Sequence, residues 1–399
     1  VVFGTAAIVA CAHPQPPPRP AQQPALRVGV VVGAPRVTIG GRGRITAFAG
    51  GAAQFQVDNR QVTIAADGRV LIPDGSATTR YERLVFTSAD PGGSVSVNGR
   101  RYRGTVELYT QGGALTAVNR VQLEDYLAGV VSAEMGRRAP NEAAALSAQA
   151  IVSRTYALRN QGRYASQGFD LTGGVADQAY SGVDGETPEG TAAVRSTAGM
   201  VLTYDGRLAL AFFHSTCGFA TATPSEAFRG IANVPYLRSV SDRKPGGGYY
   251  CDISPRFRWT VEWDGTTLRD ILRRTLNNVL GISAETVNQI RDVRVVRTGP
   301  SGRATEVRIA VGRGEIPVFG PDIRAVLQTP EGRPLGSSAV QLHPESEGDT
   351  LTRLVVAGAG WGHGVGLCQW GAVGRARAGQ SYQQILAAYF PGTKIERWY

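Results

Sequence analysis

The chain has 399 residues, 42% of them apolar and 8% aromatic, with 51 glycines and 22 prolines. That is apolar material for one large core or two to three smaller ones, and so many turn formers weigh against a helical bundle. The net charge of +10 makes the surface attractive to polyanions. The arginines are scattered singly, with no Lys/Arg block and no nucleic-acid motif, so nucleic acid is not the expected partner.

The opening "VVFGTAAIVAC" is an apolar run ending in small residues before Cys11, and "HPQPPPRPAQQP" follows it. The run is too short to cross a bilayer. It reads as the hydrophobic stretch and lipobox of an exported lipoprotein, with Cys11 as the lipidation site and the membrane reached by that anchor alone. A buried N-terminal strand is the competing reading. The prolines favour an extended spacer. Residues 1–25 are therefore set aside as signal remnant and linker, and the folded body is expected outside the cytoplasm.

From Leu26 to about Leu115 short β-branched runs such as "LRVGVVV", "QVTIA" and "GTVELYT" alternate with Gly, Asp and Asn turns, which predicts a β-rich region over 26–115. The texture then changes. In "LEDYLAGVVSAEMGRRAPNEAAALSAQAIVSRTYALRN", Pro140, Asn141 and Glu142 mark a helix start. Ala143, Leu146, Ala150, Ser153 and Ala157 follow at helical spacing as a narrow small-residue face. Further helices are predicted at Glu189–Gly199, in "TTLRDILRRTLNNVL", in "GPDIRAVL" and in "SYQQILAAYF", and strands in "VRVVRTG" and "ATEVRIAVG". The fold class is α+β. Residues 116–399 form its second part, with a small α+β insertion at 257–345.

One stretch concentrates unusual residues. "GWGHGVGLCQWGA", from Gly360 to Ala372, holds five glycines, a histidine, a cysteine and two tryptophans. Glycine permits positive φ and close backbone approach. The stretch is either a Gly-rich hairpin with a structural histidine or a cleft wall that touches substrate.

Taken in order, "LEDYLAGVVSAEM", "AAALSAQAIVSRTYAL", "DQAYSG", "FHSTCG", "PYLRSV" and the closing "GHGVGLCQWGA" resemble the stage II sporulation protein D (SpoIID/LytB) family, over about Val118 to Thr393. The resemblance implies a peptidoglycan lytic transglycosylase acting on peptide-stripped MurNAc–GlcNAc strands, with Glu134 as the catalytic acid. A partner fitting the basic surface is then cell-wall glycan, whose muramic acids carry carboxylates. It also implies an alternative, a LytB-type enhancer of a cell-wall amidase that cuts no glycan itself. The chemistry of Glu134 agrees with the first. A hydrolytic glycosidase ordinarily needs two carboxylates, whereas intramolecular attack by the sugar's C6 hydroxyl lets one carboxyl serve as acid and then base. Glu134 stands between apolar "VVSA" and Met135, where desolvation would raise its pKa; a helix-end glutamate is the plain alternative.

Substrate contacts are expected from Gln149, Arg154, Tyr156, Asp177, Gln178, Tyr180, His214, Ser215, His363, Gln369 and Trp370. Arg154 either holds a muramic carboxylate or braces a buried one. Trp361 or Trp370 is available to stack on a sugar. Glu134, Asp177, His214 and His363 should converge on one groove open at both ends, within roughly 10–12 Å of one another.

Some family members bind zinc through a histidine and two cysteines before the Q-x-Y segment. Here "SQGFDLTGGVADQAYSG" contains neither residue type, so that metal site is not carried over and no cofactor is expected. For the remaining cysteines, a Cys217–Cys251 disulfide is the default in an oxidising compartment, because both flank one loop. Free thiols, or a metal held by Cys217, Cys251, Cys368 and His214 or His363, stay open.

Overall fold

A computed structural model describes residues 22–57, 60–64, 69–74 and 77–399. Cys11 and the proline-rich segment through residue 21 lie outside the described residues. The fold is α+β, with a strand-rich N-terminal region.

Two antiparallel layers make up that region. Strand Ala25–Ala34 pairs along its length with Ala114–Gln122, which continues through Thr105–Gln111 and Arg83–Ser88 to Ile45–Ala49. The second sheet carries Arg36–Arg42 and Ser94–Val97 side by side. Alternating residues from both, including Val28, Val37, Ile39, Phe86 and Leu108, share one core, as period-two patterning requires.

That core does not stop at residue 115. Strand Ala114–Gln122 runs directly into α1 (Leu123–Met135), and α1 packs on α2 (Ala143–Arg159) and α3 (Pro188–Ser196). Helix α2 departs from the narrow face read in the sequence. From Ala148 to Ala157 every residue is buried, because α2 is enclosed by α1, α3, a strand and two later helices. Its alanines permit that enclosure on all sides.

After the short helix α4 (Pro224–Ala227), residues 258–359 build a second core around Trp263, Leu272, Val307 and Leu354. Helix α5 (Gly265–Leu280) starts where the Asp264 carboxylate accepts from the N–H groups of Thr266 and Thr267 and stops at Gly281, with φ of 69°. The short α6 (Asp322–Val326) closes this core. The two cores are joined through polar side chains. Arg303 donates to the carbonyls of Ala220 and Cys217 at 2.7 and 2.6 Å. The Glu226 carboxylate accepts from the Ser301 N–H and hydroxyl at 3.1 and 2.7 Å. The chain returns through strand Thr350–Ala359 into the Gly-rich segment, then α7 (Gln369–Arg377) and α8 (Tyr382–Tyr389).

Candidate active site

Glu134 occupies the last turn of α1, which ends at Gly136 with φ of 66°. One carboxylate oxygen accepts from the Ala179 N–H at 2.8 Å, and the other from the Gln369 side-chain amide at 3.2 Å. Burial raises its pKa above the ordinary glutamate range, and those two donors only partly oppose the rise. A carboxyl whose protonated form is favoured by burial is suited to act as an acid.

Glu134 lies on the wall of a cleft of about 650 Å³. Tyr156, Asp177, His214, Ser215, His363 and Gln369 line the same cleft, so the residues expected to converge stand around one space. The lining also includes Asn160, Arg163, Arg256 and an apolar patch of Leu210, Phe212, Phe213 and Phe228. Phe213 opens the "FHSTCG" motif, whereas the other residues of this group were not singled out in the sequence.

The second carboxylate in the lining, Asp177, is fully committed. One oxygen accepts from Tyr156 and Arg163, both at 3.0 Å, and the other from the N–H and hydroxyl of Thr172 at 2.8 and 2.9 Å. Burial and the adjacent Asp177 charge push the Tyr156 phenol upward, so it remains a neutral donor. These groups shape the wall on the α2 side.

Both histidines are neutral. Burial, with the Arg303 charge, lowers His214 to about 3, and burial, with His214 beside it, does the same to His363. Their rings sit 5.6 Å apart. His363 donates from Nε2 to the Phe213 carbonyl at 2.7 Å and accepts at Nδ1 from the Val365 N–H at 3.1 Å. Neither nitrogen is left for a ligand, which corrects the expected substrate contact: His363 holds backbone. His214 uses Nδ1 on the Val365 carbonyl at 3.2 Å, and its Nε2 is buried without a protein partner.

The glycines have the same role as His363. Gly362 and Gly366 have φ of 106° and 74°, and a Cβ on them would stand 2.9 Å from His214 Cβ and 2.1 Å from the Phe212 carbonyl oxygen. The bare backbone meets strand Phe213–His214 and its flanks, where a sugar had been expected.

Several expected contacts lie elsewhere. Arg154 is fully buried and pairs in bidentate fashion with Glu124, at 2.8 and 2.7 Å. It braces a carboxylate and cannot meet a ligand. Gln149 is also fully buried and accepts from Gln369 at 3.5 Å, standing behind the residue that touches Glu134. Gln178 is buried and donates to Ser153 and Tyr126, both at 3.4 Å. Tyr180 packs 4.8 Å from Tyr126 and donates to Asn119, as a core residue. Trp370 and Trp361 each carry a guanidinium 4.6 Å over the ring, from Arg138 and Arg256, so those faces are already stacked. Burial decides the cases of Arg154, Gln149, Gln178 and Tyr180, and stacked guanidinium groups decide the two tryptophans; a motif reports neither.

The Cys217–Cys251 disulfide is also corrected. Both residues are free thiols with sulfurs 3.4 Å apart, against about 2.05 Å for a bond.

Fold and site together define an α+β protein with one uncommitted glutamate in an open cleft, facing a wall clamped by a Gly-rich segment. A stage II sporulation protein family model matches residues 111–204, which contain α1 to α3, and a domain of unknown function (DUF8618) matches 226–366. Stage II sporulation protein D of Bacillus subtilis is 29% identical over 297 residues, 70% of this chain and 76% of the relative. An uncharacterized protein of Brachyspira hyodysenteriae is 29% identical over 315 residues, 79% of this chain and 76% of the relative. The amidase enhancer of B. subtilis is 28% identical over 327 residues, 75% of this chain but only 45% of that protein. The chain is a SpoIID/LytB-family protein.

Proposed function

We propose that the protein is a peptidoglycan lytic transglycosylase of the cell envelope, with Glu134 as its single general acid and base. The observation that carries this reading is the inequality of the two cleft carboxylates. Asp177 is paired with Arg163 and hydrogen-bonded by Tyr156 and Thr172, whereas Glu134 meets only an amide N–H and a side-chain amide. A pair-based hydrolysis lacks its second free carboxylate. A single carboxyl suffices when the sugar's own C6 hydroxyl attacks C1: Glu134 protonates the departing oxygen and then accepts the hydroxyl proton. The products are a 1,6-anhydromuramyl end and a new free end. Arg256 places positive charge along the cleft, suited to the carboxylates of muramic acids. The apolar patch of phenylalanines gives sugar faces a surface to lie on.

A second reading, enhancement of a cell-wall amidase without glycan cleavage, is supported by the similarity to the amidase enhancer. Mass spectrometry of the products from peptide-stripped glycan separates the two. The expected result is anhydro ends from the wild type and a rate roughly 10²–10⁴-fold lower for Glu134→Gln, the usual worth of a general acid. Anhydro ends from the variant at the wild-type rate would remove Glu134 from the mechanism. Hydrolysed reducing ends would reveal a second carboxylate. No cleavage by the wild type, with stimulation of an added amidase, would establish the enhancer.

A further inference from the structure

Behind the Gln369 wall, Cys217, Asp242, Cys251 and Cys368 turn one donor atom each toward a common point, all within 4.8 Å of one another and all buried. They come from distant positions: the turn after strand Phe213–His214, a loop, a short 3₁₀ turn, and the N-cap of α7. From this cluster we infer a closed, four-coordinate structural site for one zinc ion, with three thiolates and the Asp242 carboxylate as ligands.

The spacing is what a single ion requires. Thiolates bound tetrahedrally at about 2.3 Å stand about 3.8 Å apart, and the Cys217 and Cys251 sulfurs are 3.4 Å apart. A disulfide between those two would explain neither the third sulfur nor the carboxylate. The chain also supports each ligand from behind. The Cys368 sulfur accepts from the N–H groups of Cys217 and Gly371 at 3.1 and 3.3 Å, the pattern that stabilises a thiolate. Asp242 is oriented by the Cys251 N–H at 2.9 Å and the Tyr389 hydroxyl at 2.6 Å. Three thiolates and a carboxylate around Zn²⁺ leave an excess of negative charge. Arg375 stands 3.5 Å from Asp242, and Arg303 donates to the Cys217 carbonyl. Three sulfurs with one oxygen favour a soft, tetrahedral ion over Mg²⁺ or Ca²⁺. With all four positions filled by protein, the ion would be structural. Its ligands adjoin the cleft wall, since Cys368 precedes Gln369 and Cys217 follows His214 by three residues.

The test uses the full chain, reduced, refilled with Zn²⁺ and desalted, with metal counted by plasma mass spectrometry. About one zinc per chain is expected, and below about half a zinc overturns the proposal. Cys217→Ser and Asp242→Asn should each lower retention at least about tenfold under a competing chelator. Because a cysteine variant can fail to fold, Co²⁺ is bound to the wild type as a second readout. Intense sulfur-to-cobalt absorption with tetrahedral visible bands is expected, and octahedral bands alone refute the ligand set. Isolation of the exported protein with a Cys217–Cys251 disulfide and no metal would also overturn it.

Discussion

Arg154→Met is the substitution that best separates bracing from binding, because Arg154 falls within a family motif yet lies outside the cleft. The arginine is fully buried, makes two parallel bonds to Glu124 at 2.8 and 2.7 Å, and donates to the Met200 carbonyl at 3.0 Å. Methionine fills similar space but leaves Glu124, only 18% exposed, without its cation. Breaking a buried pair from one side costs about 3–5 kcal/mol. Urea unfolding at neutral pH should show a loss of that order. Glu124→Gln added to Arg154→Met should recover part of it, because the orphaned charge goes. Burial alone would raise the Glu124 pKa, but hydrogen bonds and charge from Arg154, with Tyr399 and the Gly199 N–H, leave it lowered. The pair's contribution is therefore present above the unfolded glutamate pKa and is lost as pH falls through the lower folded value. Wild type and variant should converge in stability in acid. Glycan cleavage per folded molecule should stay unchanged. A loss below about 1 kcal/mol, or impaired cleavage at full stability, would refute the reasoning and return Arg154 to the substrate.

Two further outcomes concern pH. His214 and His363 have folded pKa values of about 3, against about 6.5 unfolded. The unfolded chain thus takes up protons that the fold refuses, and each histidine should remove about 1.4 kcal/mol of stability per pH unit below about 6.5. Urea unfolding between about pH 7.5 and 5.5 should show this, and His214→Asn should shallow the slope; an unchanged slope would count against a neutral buried ring. Gln369→Met removes a donor that favours the charged form of Glu134. The alkaline limb of cleavage should move to higher pH, and a shift to lower pH would mean that Gln369 does not hydrogen-bond the carboxylate.

Much of this arrangement was legible in the residues. The alternation before Leu115 and the capping residues around Pro140 mark elements whose local chemistry agrees with their final state. Glu134 was singled out by the family resemblance; its apolar neighbours agree with desolvation, but on their own they fit an ordinary helix-end glutamate equally well. What stayed hidden depends on enclosure. Arg154, Gln178 and Tyr180 look like polar cleft residues in a motif, yet each is buried against a partner more than twenty positions away in sequence, Glu124, Tyr126 and Asn119. Helix α7 was missed because its first six residues, "QWGAVG", carry two glycines, which disfavour helix. Gly374 tolerates no side chain there, since a Cβ would meet the Tyr250 carbonyl at 2.0 Å. Packing against Tyr250 requires the residue that propensity penalises.

The Gly-rich segment is best understood as a clamp that fixes the distance between two walls. Glu134 ends a helix rooted in the N-terminal core, while Gln369 begins a helix on the far side of the chain, 235 positions later. Nothing local holds these two together. Packing of α7 on α2, which packs on α1, joins them, and the segment between Gly360 and Cys368 fixes where α7 begins by lying against residues 212–217, with Trp361 exchanging backbone bonds with Thr216 at 3.0 and 2.7 Å and His363 tying Phe213 to Val365. Side chains at Gly362 or Gly366 would push this segment off its neighbour and carry Gln369 with it. The glycines and the histidine therefore act on the glutamate through geometry. Their place in the motif is explained without any of them touching a sugar.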